Sequence, residues 1–197
     1  MTETEFLSAF NQPWTTQVSA HEAFKNANRA AAVLICLYVH NNQLHVLFTE
    51  RAQHLKHHPG QISFPGGKAE PSDVDLVDTA YREAKEEIGL QTNALKLLGK
   101  LGTYRTISGF AVTPIIAIYN KVLDLHKDLV LDHNEVASVF HVPLAFLMNE
   151  QHYFTEHIHR ADGVFPVHFI PYNERLIWGA TAGMLALLRD HVSAKLR

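Results

Sequence analysis

The stretch "FPGGKAEPSDVDLVDTAYREAKEEIGL", residues 64 to 90, constrains the fold more tightly than any other part of the chain. Two adjacent glycines behind a proline let the backbone turn with positive φ. They also let a main-chain carbonyl or amide approach an ion or phosphate with no side chain in the way. From about Asp73 the apolar residues Val77, Ala80, Tyr81, Ala84 and Ile88 recur at the spacing of one helix face, and Gly89 stands where a helix ends. The spacing predicts a helix over 73–88. Offsets of three and four residues then put Glu83, Glu86 and Glu87 together on the opposite, solvent-facing side.

Around this loop and helix the chain reads as strands and helices without regular alternation. "RAAAVLICLYVH" has a buried-strand pattern, Asn41-Asn42 tolerates the positive φ of a tight turn, and "QLHVLFTER" returns as a hairpin partner. Residues 51–72 read as loop. Further strands are expected near "LKLLGKLGTYR" and "AVTPIIAIYN", and "EVASVFHVPLAFLMN" mixes a strand with a short helix. "YFTEHIH" and "VFPVHFI" read as an antiparallel pair, and a last helix is expected from about Ile177 to Val192. The class is therefore α+β with a mixed sheet. Phe6, Leu7 and Phe10 at helical spacing make residues 1–28 a helical lead-in, and 29–197 a single domain, since 197 residues suffice for one sizeable core.

Composition removes several functions. A formal net charge of -3 gives no general attraction to nucleic acid or to an anionic membrane, so an anionic substrate must be caught locally. The single Cys36 excludes an internal disulfide and points to a reducing compartment. "MTETEFLSAFNQPW" lacks the layout of a signal peptide, and the longest apolar runs are short of the roughly 20 residues a bilayer requires. The expectation is a cytoplasmic protein, monomer or homodimer, with a small-molecule partner and neither nucleic acid nor membrane. Among the fourteen histidines, His57-His58 and His157 with His159 have no Cys or His partner at zinc-finger spacing, so no zinc site is read there.

Three carboxylates on one helix face repel one another by a few tenths of a kcal/mol per pair. An ordinary solvated charged face explains them, with Arg82 and Lys85 offsetting the repulsion. A hard divalent cation, Mg²⁺ or Mn²⁺, turns the same arrangement into a favourable one, because such ions select carboxylate oxygens. The glycines ahead of the helix favour the second explanation.

With these residues in view, the segment resembles the Nudix box, G-x5-E-x7-R-E-U-x-E-E-x-G-U with U apolar. Its second half is complete as Arg82, Glu83, Ala84, Glu86, Glu87, Gly89 and Leu90. The first half departs from the pattern: Val74 stands eight residues before Arg82, and a one-residue insertion brings Asp73 or Glu70 to the acidic position. Upstream, Leu47, Thr49, Arg51, Ala52, Gly60, Phe64, Pro65, Gly66 and Gly67 are similar to the signature of Nudix hydrolases of coenzyme A, with Phe48 and Lys56 replacing Leu and Arg.

The resemblance implies a mixed sheet sandwiched between helices, and metal-dependent hydrolysis of coenzyme A to 4′-phosphopantetheine and adenosine 3′,5′-bisphosphate. It implies Glu83 and Glu87 as metal ligands, with Glu86 a third ligand or the base, and Gly67 clearing space for the ion. Arg82 is expected to orient a box carboxylate, and Glu135 is the candidate base from outside the box. Arg51, Lys56, Gly60, Phe64 and Gly66 are the expected substrate contacts, with Arg51 and Lys56 directed at the 3′-phosphate. Two alternatives stand beside this one: a Nudix hydrolase of ADP-ribose or a dinucleotide, and a non-catalytic Nudix-fold binding module.

Overall fold

The computed structural model describes residues 1–11, 28–160 and 163–193. Its centre is strand β1 (Arg29–His40), joined to β2 (Gln43–Arg51) through Asn41 and Asn42, whose φ angles of 49° and 60° fit a tight hairpin with the twist of the flanking strands. On its other side β1 runs parallel to β7 (Phe110–Tyr119), from Arg29 opposite Phe110 to Tyr38 opposite Tyr119. The remaining partners are antiparallel. Strand β8 (Val136–Pro143) pairs with β2, and β5 (Leu95–Lys100) and β6 (Tyr104–Arg105) pair with β7. The sheet is mixed, as expected.

The near-continuous apolar run of β1 follows from burial on both faces. Leu34, Cys36 and Tyr38 enter one apolar layer with Ala80, Ala84 and Ile88 of helix α2 (Leu76–Ile88). Ile35 and Leu37 enter the other, with Phe6 and Phe10 of α1 (Glu3–Phe10) and Met184, Leu185 and Leu188 of α4 (Gly179–Ser193). Helix α1 thus belongs to the main core, and His191 of α4 is hydrogen-bonded to the Phe10 carbonyl at 2.9 Å. The rest of the expected lead-in, residues 12–27, lies outside the described residues. A short helix α3 (Leu144–Leu147) follows β8, and β9 (Phe154–Arg160), β10 (Gly163–Tyr172) and β11 (Arg175–Trp178) form a second antiparallel sheet. No helix among the described residues is long and apolar enough to cross a membrane.

Three boundaries differ from the sequence reading. Helix α2 starts at Leu76 because the Asp75 carboxylate accepts from the Val77 and Asp78 amides, a cap worth about 1 kcal/mol, which leaves Asp73 ahead of the helix. Helix α4 starts at Gly179 because Arg175–Trp178 pair with β10. The expected loop 51–72 contains β3 (Ile62–Ser63), paired with β2, and β4 (Gly66–Lys68), paired with β1.

Strand β4 corrects the reading of the glycine pair. Gly66 and Gly67 make no turn; they lie opposite Val33 and Ala32. A Cβ on Gly66 would stand 2.4 Å from the Ala32 carbonyl oxygen and 2.6 Å from the Val33 Cα. Both obstacles are backbone of the central strand and cannot move aside. Gly66→Ala is therefore expected to lower stability by about 1–3 kcal/mol or more, read as a shifted denaturant midpoint. An unchanged midpoint would contradict the close approach.

Candidate active site

The candidate site is the seam between β4 and α2. The Gly66 amide donates to Glu87 Oε2 at 3.2 Å, and Glu87 is only 5% exposed. At Gly67 the space a Cβ would fill is taken by the Glu83 carboxyl group, whose atoms lie 2.5–2.6 Å from that point. The expectation of a solvent-facing glutamate face is thus corrected: β4 covers the face, and it can do so because two of its residues carry no side chain. Glu86 remains on the outside, its side chain 60% exposed.

Arg82 holds this face in register. Its Nε and Nη2 donate to Asp73 Oδ1 and Oδ2 at 2.8 and 3.1 Å, Nη2 also to the Lys68 carbonyl at 3.0 Å, and Nη1 to Glu83 Oε1 and Glu86 Oε2 at 2.9 and 3.0 Å. The paired bond goes to Asp73, so Asp73 rather than Glu70 occupies the acidic position that the sequence left between them. Asp73 also accepts from the Glu70 amide and the Thr79 hydroxyl, both at 2.8 Å, and the Arg82 guanidinium holds its carboxyl well below the usual carboxylate range.

The electrostatics of the buried acids run the other way. Burial pushes Glu87 up to about 8; Glu83 and Glu135 add to the rise, against the Gly66 amide and the Arg51 charge. Burial also raises Glu83, opposed by Arg82 and reinforced by Glu86 and Glu135. Four carboxylates therefore share one field with too little positive charge to balance them, and a divalent cation fits that deficit. The residues suited to hold it are Glu83, Glu87 and Glu86, with the Gly67 backbone beside Glu83. Among the described residues no three such side chains already converge at metal-binding spacing. Arg82 engages both Glu83 and Glu86 and fixes where their carboxyl groups lie.

The other expected residues divide. Glu135 is brought into the field of Glu83 and Glu87, and its carbonyl accepts from the Ala52 amide at 2.8 Å, fastening the start of β8 to the end of β2. Arg51 acts on Glu87, and its backbone pairs with Gly60 and Gln61, which closes the loop between them. Lys56 stands exposed on that loop. Phe64 is not at the surface: it is 2% exposed and stacks on Phe48 with ring centres 5.1 Å apart, so its part is core packing.

A mixed sheet between helical layers, with a loop and helix presenting acids against a glycine strand, defines a recognisable class. The NUDIX domain family matches residues 28–160. Two Yersinia proteins, each named "Uncharacterized Nudix hydrolase NudL", are similar along nearly their whole length. The one from Yersinia enterocolitica is 35% identical over 98% of this chain and 94% of its own, and that from Yersinia pestis (strain Pestoides F) 36% identical over 96% and 94%. The chain belongs to the Nudix family and is a hydrolase of that family. Among solved structures, a MutT/nudix family protein from Enterococcus faecalis aligns with a TM-score of 0.54 at 15% identity, covering 100% of this chain and 71% of that one. The Nudix hydrolase RenU from M. smegmatis aligns at 0.50 and 24% identity, covering 59% and 71%. These likenesses carry the fold alone.

Two predictions follow from the seam. Gly67→Ala meets the end of a flexible side chain rather than backbone, so the protein is expected to fold with a near-normal midpoint while Glu83 is displaced and hydrolysis falls at least about tenfold. Full activity would contradict the packing of Glu83 on Gly67. The second concerns pH. Glu87 binds its proton more tightly in the folded protein than at its ordinary value of 4.5, so this stabilisation is full below about 4.5 and lost as pH rises through about 8. The melting temperature of metal-free protein should fall across that window, and Glu87→Gln should flatten the fall. An identical slope in the variant would refute the assignment.

Proposed function

We propose that this hydrolase cleaves the diphosphate of coenzyme A, yielding 4′-phosphopantetheine and adenosine 3′,5′-bisphosphate. The observation that carries the proposal is the position of the segment from Leu47 to Gly67. Three of the residues similar to the coenzyme A signature stand at the carboxylate seam: Arg51 acts on Glu87, Gly66 donates to it, and Gly67 makes room for Glu83.

Nudix hydrolases generally use divalent ions such as Mg²⁺ or Mn²⁺. Glu83, Glu86 and Glu87 would hold such an ion, which would supply positive charge to the diphosphate and acidify water. The chain's own residues do the rest. Asp73 fixes Arg82, and Arg82 orients Glu83 and Glu86. Water adds to one phosphorus, the anhydride P–O bond breaks, and the proton of the water passes to a nearby carboxylate. Glu135 is favoured as that base over Glu86, because it shares the field of both buried glutamates whereas Glu86 is exposed and held by Arg82. Arg51, whose charge acts on Glu87, is assigned to the diphosphate rather than the 3′-phosphate. Lys56, exposed on the loop, is assigned to the 3′-phosphate.

The test is incubation with coenzyme A and Mg²⁺ or Mn²⁺ and identification of the products, with ADP-ribose and dinucleotides as parallel substrates. Coenzyme A should be cleaved at the diphosphate and preferred. Preference for ADP-ribose or a dinucleotide would leave the family intact and remove coenzyme A as the substrate. Glu83→Gln should abolish most activity, and Glu135→Gln should lower kcat by roughly 10²- to 10⁴-fold with little change in metal affinity. A tenfold effect or less at Glu135 would return the base to Glu86. Lys56→Ala should lower kcat/KM for coenzyme A by about 1–3 kcal/mol relative to dephospho-coenzyme A, whereas Arg51→Ala should weaken both alike. Equal losses in Lys56→Ala would withdraw the 3′-phosphate contact.

A further inference from the structure

Three histidines from three strands meet at the end of the sheet away from the glutamates. His40 closes β1, His45 lies in β2 and His141 in β8. Their ring centres are 4.7 Å apart for His40 and His141, 4.7 Å for His45 and His141, and 5.3 Å for His40 and His45. They stand beside Tyr38, five residues along β1 from the Val33 that faces Gly66, which is about 16 Å at the rise of a strand. Nothing in the hydrolysis of a diphosphate requires them.

We propose that His40, His45 and His141 form a second cation site, separate from the carboxylate seam, that takes a borderline transition-metal ion, with Zn²⁺ the best fit. The spacing is the first support. Three imidazoles on one Zn²⁺, with N–Zn bonds of about 2.0–2.1 Å, place their ring centres about 5 Å apart at tetrahedral angles. The measured separations straddle that value.

Hydrogen bonding is the second support. His45 Nδ1 lies 3.2 Å from the Gln43 carbonyl, which can only accept, so Nδ1 carries the proton and Nε2 keeps its lone pair. His141 Nδ1 is hydrogen-bonded to the Tyr38 hydroxyl, which leaves its Nε2 as the ring's outward nitrogen. Outer partners of this kind fix the tautomer and aim of metal-binding imidazoles.

The third support is access. His40 and His141 line a cavity of about 650 Å³ together with Asp124, His126 and Arg175, while His45 lies buried behind them, so an ion can reach the trio from the cavity. As placed, the donor nitrogens do not yet surround one point. The backbones are pinned by the β1–β2 and β2–β8 ladders, so closing the site is a matter of ring rotation, above all at the partly exposed His40. Ligand chemistry keeps the two sites apart, since imidazoles suit zinc, copper and nickel whereas carboxylates suit magnesium and manganese.

The experiment is a Co²⁺ titration of metal-free full-length protein in excess Mg²⁺, followed by visible d–d absorption and by Zn²⁺ competition. One equivalent of Co²⁺ should bind with the intense absorption of low coordination number and be displaced by Zn²⁺. His40→Ala, at a partly exposed position that the core tolerates, should weaken binding at least about tenfold, and Tyr38→Phe, which keeps the ring and removes the outer hydroxyl, by about 10- to 100-fold. Glu83→Gln should leave the titration unchanged. Absence of the band, its persistence in His40→Ala, or its loss in Glu83→Gln would each overturn the proposal.

Discussion

The approach of strand β4 to helix α2 is the contact on which the rest of the site depends. Gly66 passes against the backbone of β1 with no room for a methyl group, and Gly67 lets the Glu83 carboxyl occupy the place of its missing side chain. With that contact made, Glu87 is enclosed and accepts a backbone hydrogen bond, and Glu83 is pressed beside it. A side chain at 66 would hold β4 away and leave the three glutamates an ordinary wet helix face, whereas one at 67 would displace the Glu83 carboxyl alone. Sheet pairing and the placing of Glu83 and Glu87 thus rest on one pair of residues.

The charges are divided in a way that serves the same end. Asp73 and Arg82 satisfy each other, so Arg82 becomes a fixed post rather than a mobile counter-ion, with one remaining nitrogen for Glu83 and Glu86. Among the described residues no arginine is bonded to Glu87; the Arg51 charge only moderates it. The buried acids therefore stay short of positive charge, and that shortage is what the proposed divalent ion would relieve.

Much of this was legible in the chain itself. The doubly buried β1, the Asn41-Asn42 turn and the helix ending at Gly89 each carry a local signal: an unbroken apolar run, residues tolerant of positive φ, a glycine at a helix end. Strand β4 was not legible, because a three-residue strand of Gly, Gly and Lys has no period to read and exists only through its pairing with β1. Asp73 is separated from Glu70 only by the paired bond that Arg82 makes to it, a contact with no mark in the sequence. Phe64 matched a signature position but serves the core, since a motif records which residue is required and not the reason for it. The histidine cluster joins residues 40, 45 and 141, and only the pairing of β8 with β2 brings the third to the first two.

The central claim is that the seam of β4 and α2 binds a divalent cation through Glu83 and Glu87. The most direct measurement is a Mn²⁺ titration monitored by electron paramagnetic resonance, comparing the native chain with the Glu83→Gln, Glu87→Gln double variant and with His40→Ala. The account predicts Mn²⁺ bound by the native chain and by His40→Ala alike, and affinity at least about 10-fold weaker in the double variant while its circular dichroism stays native. Equal Mn²⁺ affinity in the native chain and a folded double variant would contradict it.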